Sequence, residues 1–197
     1  MDQPIFQILL VEDETIYSKI ILFQLSTLQF PEYAINVNHV SSLSEMDEIR
    51  DLVLPDIILL DLGLPESTGI ETYKTAKMYF PDSAFIILSG MDDDELAGSI
   101  VKNGAQDYLV KTDVDSKLIR KSIGYALDRL QFQSSLAKDT SEWTKELSEK
   151  FTLLRQTIAA QFNERNEDLS SINQLISSID TLIDRISKNE FNEKINF

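Results

Sequence analysis

Two hydrophobic rhythms alternate through the first 130 residues, and that alternation limits the fold more than any other feature of the chain. Ile5 to Val11, Ile35 to Val40, Asp56 to Leu60, Ala84 to Leu88 and Asp107 to Val110 are Ile/Val/Leu-rich runs of strand length. Thr15 to Leu28, Leu43 to Leu52, Gly69 to Phe80, Asp93 to Lys102 and Asp115 to Leu130 follow them in turn with helical spacing. Five strands, each followed by a helix, make a βα repeat. Strands this continuously apolar need cover on both faces. The pattern predicts an α/β fold with a five-stranded, doubly wound parallel sheet.

The rhythm stops near residue 130. All five prolines and all six glycines precede that point, so the first part is rich in turns and the second nearly free of them. Charge divides in the same place, with 10 basic against 22 acidic residues up to Leu130 and 8 against 11 beyond it. Two domains are expected, 1–130 and 131–197.

Several classes of function are disfavoured. The chain has no cysteine, which removes disulfide scaffolds, thiolate metal sites and cysteine nucleophiles. A net charge of −15 without a basic patch argues against nucleic acid as a partner. The longest apolar runs, such as Ile57-Ile58-Leu59-Leu60, fall far short of the ~20 residues that span a bilayer. Met1-Asp2-Gln3-Pro4 lacks the basic start of a secretion signal. These features point to a cytoplasmic protein without membrane insertion.

In sheets of this kind the functional crevice lies outside the carboxyl ends of the strands, where strand order reverses. The strand ends carry Glu12 and Asp13, then Asp61, Ser89 and Lys111. Each alone could be an ordinary turn or surface residue. Together they bring three carboxylates, a hydroxyl and an ammonium to one edge. Crowded carboxylates must be protonated, paired with a cation or bound to metal. An all-oxygen set with few protein ligands suits Mg²⁺, and one carboxylate could then act as nucleophile on a phosphoryl group. His39, the single histidine, reads as a strand-end or surface residue. With no histidine after it, the C-terminal part cannot work through phosphohistidine.

Four stretches carry a resemblance. They are Ile8-Leu9-Leu10-Val11-Glu12-Asp13-Glu14, Asp56 to Pro65 with Gly69, Leu88-Ser89-Gly90, and Gly104-Ala105-Gln106-Asp107-Tyr108-Leu109-Val110-Lys111. Over about residues 5 to 130 the chain resembles the receiver domains of two-component response regulators, whose sheet is flavodoxin-like. The resemblance implies that Asp61 accepts phosphate from a phosphohistidine on a sensor histidine kinase or phosphotransfer protein. It implies Mg²⁺ held by Asp13, Asp61 and the Gly63 carbonyl, with Glu12 acting mainly through bound water. Ser89 would be the switch hydroxyl, Tyr108 the switch aromatic and Lys111 the phosphate contact. A haloacid-dehalogenase-type phosphatase uses a similar set but needs a second aspartate where Gly63 stands.

Two departures from the family pattern matter. Lys111 is usually followed by proline in this family, often through a cis bond, whereas Thr112 stands here, so a trans bond and a shifted loop over Thr112 to Val114 are expected. Gly63 and Met91 occupy the two positions where receivers often place polar side chains that steer the hydrolytic water. A long-lived phosphorylated state is expected.

Beyond residue 130 the chain reads as helix. Leu147, Phe151, Leu154 and Ile158, then Ile172, Leu175, Ile179, Leu182 and Ile186, fall in one heptad frame. That pattern favours a coiled coil and a homodimer. The polar stretch Asn163 to Asp168 leaves two forms open: a continuous rod of about 90 Å, or a helical hairpin that pairs into a four-helix bundle. The absence of turn residues there favours the rod. The expected function is a response regulator, not itself an enzyme, whose phosphorylation switches helical dimerisation or binding of a downstream protein. The alternative is the regulatory front end of a larger signalling enzyme, such as a diguanylate cyclase or sensor kinase.

Overall fold

The structure, a computed structural model, describes residues 3–163, 174 and 177–181. Its elements run β1 (Ile5–Val11), α1 (Thr15–Thr27), β2 (Ala34–Val40), α2 (Leu43–Ile49), β3 (Ile57–Asp61), β4 (Gly63–Leu64), β5 (Ser67–Thr68), α3 (Ile70–Tyr79), β6 (Ala84–Ser89), α4 (Asp94–Lys102), β7 (Asp107–Val110), a 3-10 turn (Lys111–Asp113) and α5 (Ser116–Asn163). The chain divides into two compact units, Met1–Leu130 and Gln131–Phe197.

In the first unit five parallel strands lie in the order β2-β1-β3-β6-β7. The chain leaves β1 towards β2 on one side and returns to β3 on the other, so the order reverses between β1 and β3. That gap is the crevice where the expected site residues emerge.

The interior strands show why both faces are covered. Ile8 to Val11, Ile57 to Leu60 and Phe85 to Leu88 are fully buried. Because side chains alternate along a strand, each run feeds two cores. Leu9, Val11, Ile58, Leu60, Phe85 and Ile87 pack on one face with Met46 of α2, Tyr73 and Ala76 of α3 and Ile100 of α4. Ile8, Leu10, Ile57, Leu59, Ile86 and Leu88 pack on the other with Ile21 and Leu25 of α1 and Ile119, Ile123, Ala126 and Leu127 of α5. Each such side chain contributes about 1.5–3 kcal/mol by leaving water.

The helix starts near the crevice are held by local chemistry. Ser42 caps α2 by accepting from the Glu45 amide at 3.1 Å, and the Glu45 carboxylate accepts from the Ser41 amide at 2.7 Å, a variant of the capping box. Glu66, from the loop after β3, accepts from the Leu43 and Ser44 amides at 3.0 and 3.3 Å. The loop after Asp61 is thereby tied to the start of α2. Gly69 makes the turn into α3 at φ 64°, a left-handed conformation that suits glycine.

Three local differences from the periodicity follow from hydrogen bonding. β3 and β6 each run one residue further than expected, because Asp61 pairs with Leu88 and Ser89 with Val110. The short β4–β5 ribbon lies outside the expected elements, as two-residue strands carry no periodicity. α2 stops at Ile49, and the Leu52 and Val53 amides turn back to the Ile49 carbonyl. Among the described residues there is no cis peptide bond, and the residues after Lys111 form the 3-10 turn.

In the second unit α5 continues as helix to Asn163, and 174 and 177–181 are helical. Thr144 is buried, Leu147 and Phe151 are half-buried, and Leu154 is exposed. The choice between rod and hairpin rests on 164–173, outside the described residues, as do most positions of the second heptad run. No helix among the described residues is long and apolar enough to cross a membrane.

Candidate functional site

β1 and β3 deliver the acidic residues. Glu12 follows β1 directly, and its amide donates to the Val40 carbonyl, extending the sheet by one bond. His39 adds a strap: its Nε2 lies 2.9 Å from the Glu12 carbonyl, which can only accept, so Nε2 is the protonated nitrogen. Glu12 is fully buried, Asp61 is 4% exposed, and Asp13 is exposed. The three offer oxygens that lie within 4.8 Å of one another.

Lys111 enters from the end of β7. Its Nζ lies 2.7 Å from Glu12 Oε2 and donates to Asp61 Oδ2 at 2.9 Å. Asp61 Oδ1 accepts from the Gly63 amide at 3.0 Å, and Glu12 Oε1 accepts from the Glu14 amide at 3.2 Å. Among the described residues, Glu12 Oε2 has no hydrogen bond beyond its ion pair with Lys111. One ammonium thus faces two buried carboxylates, with a third at the mouth.

The electrostatics follow from that imbalance. Burial raises the Glu12 pKa above the ordinary carboxylate value; the Lys111 hydrogen bond opposes this and the Asp61 charge adds to it. Burial also works against the charge on Lys111, yet its hydrogen bonds to Glu12 and Asp61 and their charges outweigh it, so its pKa is raised. Two buried carboxylates sharing one ammonium, with the Asp13 carboxylate within reach, form an uncompensated, all-oxygen set. Such a donor set fits a hard divalent cation of the Mg²⁺ type.

Ser89 and Tyr108 meet through one backbone unit. The Ser89 hydroxyl, 3% exposed, accepts from the Met91 amide at 3.1 Å, and the Tyr108 hydroxyl donates to the Met91 carbonyl at 2.9 Å. Among the described residues Ser89 has no hydrogen bond to Asp61. The structure therefore gathers Glu12, Asp13, Asp61 and Lys111 in one cluster and places Ser89 and Tyr108 on the adjoining loop. Gly63 touches the cluster through its amide.

One residue at the site is not among those the strand ends point to. Tyr17, in the first turn of α1, lies beneath Lys111 with its ring centroid 4.5 Å from Nζ, and its hydroxyl donates to the Lys111 carbonyl at 3.4 Å. Burial, then the charges of Glu12, Asp61 and Glu14, push its pKa well up and keep it a neutral donor. Its only sequence signal is an aromatic four residues after Asp13, which reads equally as core filler.

Comparison with known proteins gives the family and the fold. The sequence profile of the response regulator receiver domain matches residues 8–123, more than half of the chain. The chain belongs to the response regulator receiver family. It is 27% identical over 124 residues to a cyclic di-GMP phosphodiesterase of Thermotoga maritima, covering 63% of this chain and 32% of that protein. It is 28% identical over 127 residues to the uncharacterized transcriptional regulatory protein YxjL of Bacillus subtilis, covering 59% of this chain and 58% of that protein. The chain thus spans less than two thirds of these relatives' lengths. Among solved structures, a response regulator receiver domain protein from Clostridium thermocellum is 26% identical with TM-score 0.56, over 65% of this chain and 98% of that one. The receiver domain of a modulated diguanylate cyclase from Desulfovibrio desulfuricans shares the fold at 22% identity and TM-score 0.54, over 67% of this chain and 99% of that one.

Proposed function

We propose that this receiver is phosphorylated on Asp61 by a histidine kinase or phosphotransfer protein, and that phosphorylation controls a helical output. One observation carries the reading: Asp61 is held at the end of β3 with Oδ1 on the Gly63 amide and Oδ2 on the Lys111 ammonium, beside Glu12 and Asp13. An Asp61 oxygen attacks the phosphorus of a phosphohistidine. The new P–O bond forms as the P–N bond breaks, and the imidazole leaves with its electron pair. Asp13, Asp61 and the Gly63 carbonyl would hold Mg²⁺, with Glu12 acting through bound water. When bound, the ion neutralises charge on the phosphoryl oxygens and the carboxylates around them. Lys111 takes one phosphoryl oxygen, and Ser89 takes another.

The same bonds support a switch. Phosphorylation adds about −1.5 to −2 charges and three acceptor oxygens. A Ser89 hydroxyl drawn to them would release the Met91 amide, and the Met91 carbonyl is the partner of Tyr108. Movement at Asp61 is thereby passed to β7 and α5, whose extension is the proposed dimerising and protein-binding segment of 131–197. We place this cycle in the cytoplasm, where phosphohistidine donors work. Light scattering with and without beryllofluoride tests the output. Mass or shape is expected to change on addition, and identical scattering in both conditions would overturn phosphorylation-driven assembly.

The phosphorylated state is expected to be long-lived. Met91 is 61% exposed but apolar, and Gly63 has no side chain, so neither orients an attacking water. A Cβ at Gly63 would lie 3.6 Å from Asp61 Oδ1, an ordinary contact, so Gly63→Asn fits and should shorten the lifetime. Decay of the wild-type label within seconds would contradict this reading.

A second reading has its own support. The phosphodiesterase relative is about three times as long as the matched region, and a diguanylate cyclase receiver shares the fold. The chain would then be the regulatory front end of a larger signalling enzyme, with α5 as transmission rod, and the length of the full gene decides between the two.

A further inference from the structure

Lys111 is the first residue of a short turn that joins β7 to α5. Thr112 follows it rather than a ring-locked residue, and Lys111–Asp113 form a single 3-10 turn. Two α1 side chains reach across to that turn. Tyr17 donates to the Lys111 carbonyl and Gln24 donates to the Val114 carbonyl, each at 3.4 Å. They stand seven residues apart, two helical turns, and so share the face of α1 directed at this segment.

Tyr17 also meets the other end of the same lysine. The ammonium sits 4.5 Å from its ring centroid while two of its donors point to Glu12 and Asp61. A cation over the face of a tyrosine is attracted by the ring quadrupole, most strongly where water is excluded. The Lys111 side chain is 15% exposed, so that condition is met in large part. One side chain thus grips both the carbonyl and the ammonium of Lys111, and these contacts fix the direction from which Nζ approaches the Asp61 carboxylate.

We propose that Tyr17 is a positioning residue for phosphoryl transfer, its ring face seating the Lys111 ammonium and its hydroxyl holding the Lys111 carbonyl. The proposal rests on the reading that Asp61 is the phosphoacceptor and Lys111 its phosphoryl contact. Tyr17 touches neither donor nor phosphoryl group; it acts through Lys111. Loss of the ring frees the ammonium to swing between carboxylates and solvent, whereas loss of the hydroxyl alone loosens only the backbone.

The test uses the full chain as wild type, Tyr17→Phe and Tyr17→Leu, with two readouts. The first is the proton spectrum of lysine-labelled protein, with the Lys111 ε-methylene signal assigned by its disappearance in Lys111→Met. Ring current should displace that signal upfield in wild type and Tyr17→Phe, and the displacement should vanish in Tyr17→Leu. The second is the initial rate of Asp61 labelling by acetyl phosphate with Mg²⁺. Tyr17→Phe should stay within about twofold of wild type and Tyr17→Leu should fall by about fivefold or more, the rate equivalent of losing a cation–π contact that is only partly desolvated. An undisplaced Lys111 signal in wild type overturns the inference, and that result needs no variant to fold. Labelling of Tyr17→Leu at the wild-type rate overturns it as well while leaving the Asp61 reading standing. Failure of wild type itself to be labelled overturns the Asp61 reading and this inference with it.

Discussion

Asp61→Asn is expected to lower labelling of the protein by acetyl phosphate and Mg²⁺ by at least about a hundredfold while leaving the fold intact. The amide is isosteric, and its oxygen can still accept from the Gly63 amide, as Asp61 Oδ1 does at 3.0 Å. What disappears is the anionic oxygen that the proposed transfer needs as its nucleophile, and a neutral amide cannot replace it. Lys111 keeps Glu12 as partner. Removing the Asp61 charge also removes one of the influences that raise the Glu12 pKa, so the substituted protein carries less repulsion in its crevice. Phosphate incorporation and thermal melting check the two halves together: label lost, midpoint unchanged or higher. Label persisting in Asp61→Asn would move the phosphoacceptor elsewhere, and any beryllofluoride effect on scattering should vanish with it.

Lys111→Met has the largest expected effect on stability. The ammonium is the shared cation of two buried carboxylates, at 2.7 and 2.9 Å. Methionine fills a similar volume but leaves Glu12 and Asp61 facing each other unpaired. Breaking a buried ion pair from one side costs about 3–5 kcal/mol, and the slight exposure of Lys111 puts this case near ~3 kcal/mol. Urea denaturation in EDTA reads the loss, and millimolar Mg²⁺ should recover part of it by restoring positive charge. The pH dependence has a definite sign. The raised Glu12 pKa means that the folded chain holds this proton more tightly than the unfolded chain does. That contribution favours the fold at low pH and is lost as pH rises from the ordinary carboxylate value through the raised one. Without Lys111 the rise is greater, so the loss runs on to higher pH than in wild type and the deficit widens above that window. Equal midpoints for wild type and Lys111→Met in EDTA would show that the pair contributes nothing.

Much of the fold was legible because strands buried on both faces must be apolar throughout. Ile57 to Leu60 could be nothing else in a βα repeat, and the structure buries all four completely. Element ends were less legible. Asp61 and Ser89 look like loop residues by chemistry, yet sheet pairing with Leu88 and Val110 draws them into β3 and β6. The β4–β5 ribbon was illegible, since two residues have no period. Of the candidate site, the acidic cluster and Lys111 could be named from strand ends alone. Tyr17 could not, because an aromatic in the first turn of a helix looks the same whether it packs in a core or lies under an ammonium.

The amino-acid sequence by itself determined the parallel sheet and which carboxylates, hydroxyl and lysine stand at the strand ends. Those follow from local periodicity and from the rule that covered strands release their chemistry at their carboxyl ends. Only the tertiary structure decided who touches whom: Lys111 between Glu12 and Asp61, Tyr17 beneath Lys111, and the Met91 backbone joining Ser89 to Tyr108. The lysine's contacts link α1, β1, β3 and β7, segments far apart along the chain. They arise because the strand order brings β1, β3 and β7 to one edge and the packing of α1 turns Tyr17 towards it.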